Sequence, residues 1–132
     1  MGGVVLDASV LISFAEADPA AMVAVDEADQ NAQALLVPAV ALTTAYAQAG
    51  PKGDGPYLDR MLSLGVIVGD GGLGHAEAPM IGAVWSEAPG VPLHTAEAAW
   101  HARRRGWVVL AIDGAPLRGA YPDVRLAVPG EE

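Results

Sequence analysis

The chain has 132 residues, 52% of them apolar, with no cysteine and a formal net charge of −9. That length and apolar content suit one domain spanning residues 1–132 with a single core, and the missing cysteines exclude disulfides and thiolate chemistry. The charge works against strong nonspecific binding to nucleic acid, which needs clustered cations, because the chain has seven Lys and Arg residues in all.

The longest apolar stretch, Ala34 to Ala47, is too short for a bilayer and is broken by Pro38, Thr43 and Thr44. The amino terminus lacks the positive region of a signal peptide and carries Asp7 inside its hydrophobic run. A cytoplasmic protein without a membrane span is therefore expected.

In chain order, Val4 to Leu6 reads as a buried strand and Ala8 to Ala17 as a helix, with Val10, Leu11 and Phe14 at helical spacing and Asp7 as its N-cap. A second helix starts at Pro19, a favoured first-turn residue, and runs to about Ala34. Leu35 to Val37 is a short strand, and Pro38 opens a third helix that stops near Gly50-Pro51. After a loop at Lys52 to Pro56, Tyr57 to Ser63 makes a short helix, Val66 to Val68 a strand and Asp70-Gly71-Gly72 a turn. Gly74 to Ala88 is a helical pattern that tolerates Pro79 only in its first turn or at a kink. Val91 to His94 reads as a strand, Ala96 to Arg105 as a helix closed by Gly106, and Trp107 to Ile112 as a strand. A turn at Asp113-Gly114, a short helix at Ala115 to Ala120 and a last strand at Val124 to Val128 complete the chain. Alternating strands and helices predict an α/β three-layer sandwich with a mainly parallel central sheet.

Two strand-to-helix junctions carry similar lettering, Leu6-Asp7-Ala8-Ser9 and Leu93-His94-Thr95-Ala96-Glu97. Each places a hydroxyl and a carboxylate at the carboxyl end of a strand, where open α/β sheets bind ligands, so Asp7 is the first residue to consider for chemistry. Helix capping by Asp7 and Thr95, and Glu97 complementing a first-turn dipole, explain the same residues without chemistry. His94, Glu97 and His101 form a competing constellation for zinc or another transition metal, although their spacing matches no strong zinc signature. Trp85, Trp100 and Trp107 are expected as core or interface anchors. The glycine-rich run Gly69 to Gly74 lacks the Gly-Lys-Ser/Thr ending of a phosphate loop and reads as a plain turn. Arg103, Arg104 and Arg105 form a local basic patch that also suits a helix C-terminus.

Three segments together resemble PIN domains, and in particular the toxin ribonucleases of bacterial VapBC systems. They are Val5-Leu6-Asp7-Ala8-Ser9-Val10-Leu11, Val37-Pro38-Ala39-Val40-Ala41-Leu42 and Gly90-Val91-Pro92-Leu93-His94-Thr95-Ala96-Glu97. The resemblance covers nearly the whole chain in order and element sequence. It implies a PIN-like fold and RNA cleavage by a water activated on Mg²⁺ or Mn²⁺ held by three or four acids. Asp7 matches the first acid, with Ser9 a frequent polar neighbour, and Glu97 corresponds to the last, with Thr95 retained. The second acid position holds Thr44 and the third falls on Pro79, with Glu77 two residues away and turned through about 200° on a helix.

Two functions follow as expectations. One is a PIN-like protein with a degenerate acidic site, catalytically weak or inactive, acting as a binding or regulatory module with Mg²⁺ or Mn²⁺ bound weakly or not at all. The other is an active Mg/Mn-dependent endoribonuclease in which Asp7 and Glu97 hold the metal, Thr95 and Ser9 orient water or ligands, and Arg103, Arg104 and Arg105 hold RNA. The resemblance also implies an antitoxin-like protein partner and a homodimer.

Overall fold

The computed structural model describes residues 2–69 and 73–130, and the turn expected at Asp70 to Gly72 lies outside them. Five short strands, β1 (Val4–Leu6), β2 (Leu35–Val37), β3 (Ile67–Gly69), β4 (Val108–Leu110) and β5 (Leu126–Ala127), form one sheet in the order β3-β2-β1-β4-β5. Every pairing is parallel, with Val4 opposite both Leu35 and Val108. Side chains alternate across a strand, so successive residues feed opposite faces. Leu6, Leu35 and Val37 enter one core; Val5, Leu36 and Val109 enter the other.

Parallel strands expose no polar face and need helices on both sides. The first core is closed by α1 (Ala8–Ala15), α2 (Pro19–Gln30), α3 (Ala39–Ala49) and α4 (Gly55–Leu62), and the second by α5 (Ala78–Ser86), α6 (Leu93–Arg105) and α7 (Ala115–Ala120). The result is the expected three-layer α/β sandwich with a parallel central sheet. No single helix among the described residues is long and apolar enough to cross a membrane.

Local signals mark several helix ends, although the second helix, expected to reach about Ala34, stops at Gln30. Asp7 caps α1 by accepting from Ser9 N, Asp18 caps α2 by accepting from Ala21 N, and Pro19 fills the first helical position. Gly106 ends α6 in the left-handed region at φ 69°, which glycine adopts without a Cβ clash.

The segment expected as a strand at Val91 to His94 is not one. Pro92, with extended φ and ψ, is the N-cap of α6, and the helix begins at Leu93. Pro92 lacks the N–H that a helix leaves unbonded at its start, so it ends the extended segment at the N-cap, and docking of α6 on the sheet draws Leu93 and His94 into the helix. Thr95 consequently sits inside the first turn and Glu97 beyond it, so Thr95 is not a cap and the second strand-to-helix junction does not exist. The helix expected from Gly74 begins at Ala78, with Pro79 in its first turn, where its missing N–H costs nothing.

Between α3 and α4, the Tyr46 hydroxyl donates to Asp59 Oδ1. Burial, reinforced by the hydrogen bond to Asp59 and its charge, pushes the Tyr46 phenol up to about 12. The folded state thus favours the protonated phenol. Its contribution to stability is complete below the unfolded pKa near 10 and is lost as pH rises toward 12. Alkaline melting of Tyr46→Phe beside the wild type should show a stability gap that closes over that window, and a gap independent of pH would refute the assignment.

Candidate functional site

The carboxyl end of β1 opens into a small crevice of about 130 Å³, lined on its polar side by Asp7, Ser9, Thr44, Gln48, His94, Thr95 and Asp113. Elements of distant sequence position build it, with Ser9 coming from α1. β1 delivers Asp7, α3 delivers Thr44 and Gln48, the first turn of α6 delivers His94 and Thr95, and the segment after β4 delivers Asp113.

Ser9 ties two of these together. Its hydroxyl donates to Asp7 Oδ2 at 2.6 Å while its backbone N–H donates to the same oxygen at 3.1 Å. The same Oγ accepts from Ile112 N at 3.0 Å and from Asp113 N at 3.3 Å, and Asp7 N donates to Leu110 O. The ends of β1 and β4 are thereby clamped side by side, which holds Asp113 over the crevice. Asp7 is 5% exposed, whereas Asp113 is exposed and also accepts from Ala115 N ahead of α7. Asp113 reads as a turn residue in the sequence, and its Asp-Gly lettering carries no sign of its meeting Asp7.

Thr44 stands on the crevice wall where a carboxylate would be needed for a three-acid site, and its hydroxyl donates back to Val40 O at 2.8 Å within its own helix. His94 contributes a buried Nδ1 that meets no hydrogen-bond partner among the described residues.

Glu97 is held differently. It is 0% exposed, lies one turn beyond the crevice residues of α6, and its Oε1 accepts from Val40 N at 3.1 Å. Val40 is in the first turn of α3, whose N-cap, Pro38, makes no side-chain capping bond. The Glu97 carboxylate thus acts as a cap supplied from another helix, satisfying an N-terminal amide and complementing the helix dipole.

The remaining expected residues lie elsewhere. Glu77 is at the N-cap of α5 and is not among the residues lining the crevice, and Pro79 is exposed in the first turn of that helix. His101 is buried and stands seven residues along α6 from His94, roughly 10 Å of helix rise, so the two histidines do not meet. Arg103, Arg104 and Arg105 occupy the last turn of α6, with Arg104 roughly 14 Å of helix rise from Thr95 and so at the opposite end of the sandwich from Asp7.

Among the described residues no group of three or more His, Asp or Glu side chains could hold a metal ion. A hard divalent ion such as Mg²⁺ takes near-octahedral oxygen ligation, commonly from one or two carboxylates with water and phosphate. The crevice offers Asp7 and Asp113, fewer carboxylates than the three or four the family resemblance implies, and one Asp7 oxygen already accepts two hydrogen bonds, so the donor set suits a weakly held ion completed by water and phosphate.

A larger groove of about 850 Å³ runs between α2 and the β1–β4–β5 part of the sheet. It is mostly apolar, and among the described residues its lining carries one carboxylate, Glu27, and no cation. Chemistry therefore points to the smaller crevice.

No family model matches the sequence, and no curated protein matches it. Among solved structures, the chain is similar to one in the crystal structure of VapBC2 from Rickettsia felis bound to a DNA fragment from their promoter. The TM-score is 0.72 over 95% of this chain and 97% of that chain, at 11% sequence identity. Spanning both chains almost end to end, the likeness is one of fold, the PIN-like sandwich that carries the crevice between β1, α3, α6 and β4.

Proposed function

We propose that the protein is a VapC-like PIN-fold member with a reduced acidic site, weak or inactive as a ribonuclease, that works as a cytoplasmic binding or regulatory module beside an antitoxin-like protein. The observation that carries this reading is the acid content of the crevice, where Asp7 and Asp113 share the wall with Thr44. Glu97 supports it further, because its carboxylate is buried and bonded to the first turn of α3. Two carboxylates hold a divalent ion weakly, and metal-activated hydrolysis depends on fixed coordination to generate hydroxide and clamp phosphate.

The second reading is an active Mg/Mn-dependent endoribonuclease, and Asp113 is what favours it. A carboxylate beside Asp7 at the end of the neighbouring strand gives a metal two anchors, with phosphate and water filling the rest. Incubation of the purified protein with single-stranded RNA and Mn²⁺ separates the two. The reduced-site reading expects no cleavage above that of Asp7→Asn, and metal-dependent cleavage that vanishes in Asp7→Asn would establish the enzyme. A homodimer belongs to both readings, and light scattering checks it.

A further inference from the structure

One flank of the sheet lacks the cover that parallel strands need. In β1 and β4 the residues facing α5 and α6, Val5 and Val109, are 0% exposed. On the opposite face Val4, Val108 and Leu110 are only half-buried, and Ala127 of β5 is exposed. α2 covers this face in part, and the groove of about 850 Å³ occupies the space that remains. Val23, on the α2 wall of the groove, is 54% exposed.

The groove has two different ends. Its α2 wall presents Ala20, Val23, Ala24, Glu27 and Asn31, three or four positions apart and so in one row of roughly 16 Å along the helix. Toward the start of α2 the lining is apolar, with Leu110, Ala127 and Val128 across from the helix. Toward the end of α2, where the chain turns into β2, the polar side chains Glu27, Asn31 and Gln33 gather. None of these three side chains bonds to another described residue, and Glu27 has no ion-pair partner among them. The negative pole of the α2 dipole falls at the same end, and no basic residue in the last turn offsets it.

We propose that the groove binds a cationic amphiphile, with a protonated amine head at Glu27, Asn31 and Gln33 and an alkyl body laid along Ala20, Val23 and Ala24 against β4 and β5. A cleft of this volume, apolar along most of its length with a few polar groups converging at one place, has the form of a small-ligand site. Glu27 is the one ionisable side chain in the described lining, and it sets the sign of the head together with the helix dipole. A protein partner is expected to meet a polar rim around an apolar centre, whereas polar groups collected at one end suit a ligand with a single head. The groove shares no lining residue with the crevice, and the proposal does not rest on the function proposed above.

Isothermal titration calorimetry of the full chain at low salt tests the assignment, with decylamine, decanoate and butylamine as probes, each below its micelle concentration. Decylamine should bind one to one with a Kd of about 10–100 μM and raise the melting temperature. Butylamine, six methylenes shorter, should bind at least about thirtyfold more weakly, and decanoate at least about fivefold more weakly. Glu27→Lys, at an exposed position, should shrink the preference for amine over carboxylate at least about fivefold. Ala24→Trp fills the groove and should weaken decylamine at least about tenfold. Ala20→Trp, exposed on the same wall, should do likewise and keeps the test valid if Ala24→Trp fails to fold, which melting of each variant reveals. Asp7→Asn should bind decylamine as the wild type does. The proposal is overturned if decylamine does not bind or lowers the melting temperature, if decanoate binds equally well, or if the folded tryptophan variants bind unchanged. A dimer in light scattering that Ala20→Trp separates would give the groove to a second copy. A Leu-Lys helical peptide that outcompetes decylamine at equal concentration would give it to a partner helix, and either result also overturns the proposal.

Discussion

Truncating Glu97 to alanine should destabilise the fold by roughly 2–4 kcal/mol, although the residue lies at a position where the family resemblance implies a metal ligand. Glu97 is fully buried and its carboxylate accepts from Val40 N, so alanine removes an acceptor from a helix-terminal amide and leaves a space in the α3–α6 contact. An amide left without its partner costs about 1–3 kcal/mol and a partly collapsed cavity adds to it. Glu97→Gln retains a carbonyl oxygen at nearly the same volume. It should recover more than half of the loss, which separates capping from charge. Urea melts of the two variants provide the measurement, and an alanine variant within about 1 kcal/mol of the wild type would remove the capping role. A metal ligand predicts the opposite signature, in which Mn²⁺ stabilises the wild type and not Glu97→Gln.

Thr44→Glu is expected to raise Mn²⁺ affinity at least about tenfold and to bring RNA cleavage with it. The crevice already holds Asp7 and Asp113, and Thr44 is on the same wall. At an effective dielectric near 20, a unit charge about 4 Å from another interacts by about 4 kcal/mol before desolvation is subtracted. A tenfold gain needs about 1.4 kcal/mol, so a third carboxylate that keeps a third of its Coulomb energy for the ion suffices. The side chain also loses its bond to Val40 O, a small cost because back-bonding of this kind stabilises a helix little. Calorimetry with Mn²⁺ on wild type and variant decides the matter. Unchanged affinity in a folded Thr44→Glu protein would show that the missing acid is not what limits the site.

Much of the fold is legible in the sequence because its signals are local. Asp7 before Ala8, Pro19 in a first turn, and Gly106 after three arginines each mark a helix end through their own local chemistry. The apolar triplets Val4–Leu6 and Leu35–Val37 are short enough to read as buried strands, and Val108–Leu110 lies inside the longer strand expected at Trp107 to Ile112. Val91 to His94 misleads because β-branched and apolar residues beside a proline fit either an extended segment or a helix entry, and docking of α6 against β1 and β4 decides between them.

The site is less legible, since its geometry is made by contacts between distant residues. Asp113 looks like half of a turn until Ser9 Oγ, more than a hundred positions earlier, accepts from its N–H. Glu97 reads as a ligand or a first-turn carboxylate, and no local signal shows that Val40, 57 residues away, donates to it. Arg103, Arg104 and Arg105 are one run of identical letters, yet one is an ion-paired strut and two are stacked on indoles and meet no carboxylate among the described residues. A sequence gives their spacing on the helix but not which of them meets Glu87 and Asp123.

The Ser9 clamp also bears on how the molecule assembles. β1 is made from the first residues of the chain and β4 from residues beyond position 107, and their pairing, with the Ser9 bonds to Ile112 and Asp113, closes a loop of about a hundred residues. Contacts of such long range are slow to form, because chain entropy is lost before they yield any stabilisation. α1, α2, β2 and α3 can fold with β1 as a contiguous unit, whereas the crevice has no wall on its β4 side until the far end of the chain arrives. On a ribosome, Asp7 therefore waits until the residues around position 113 have emerged before it acquires Asp113 as a neighbour, so the site is completed about a hundred residues after its first member is made.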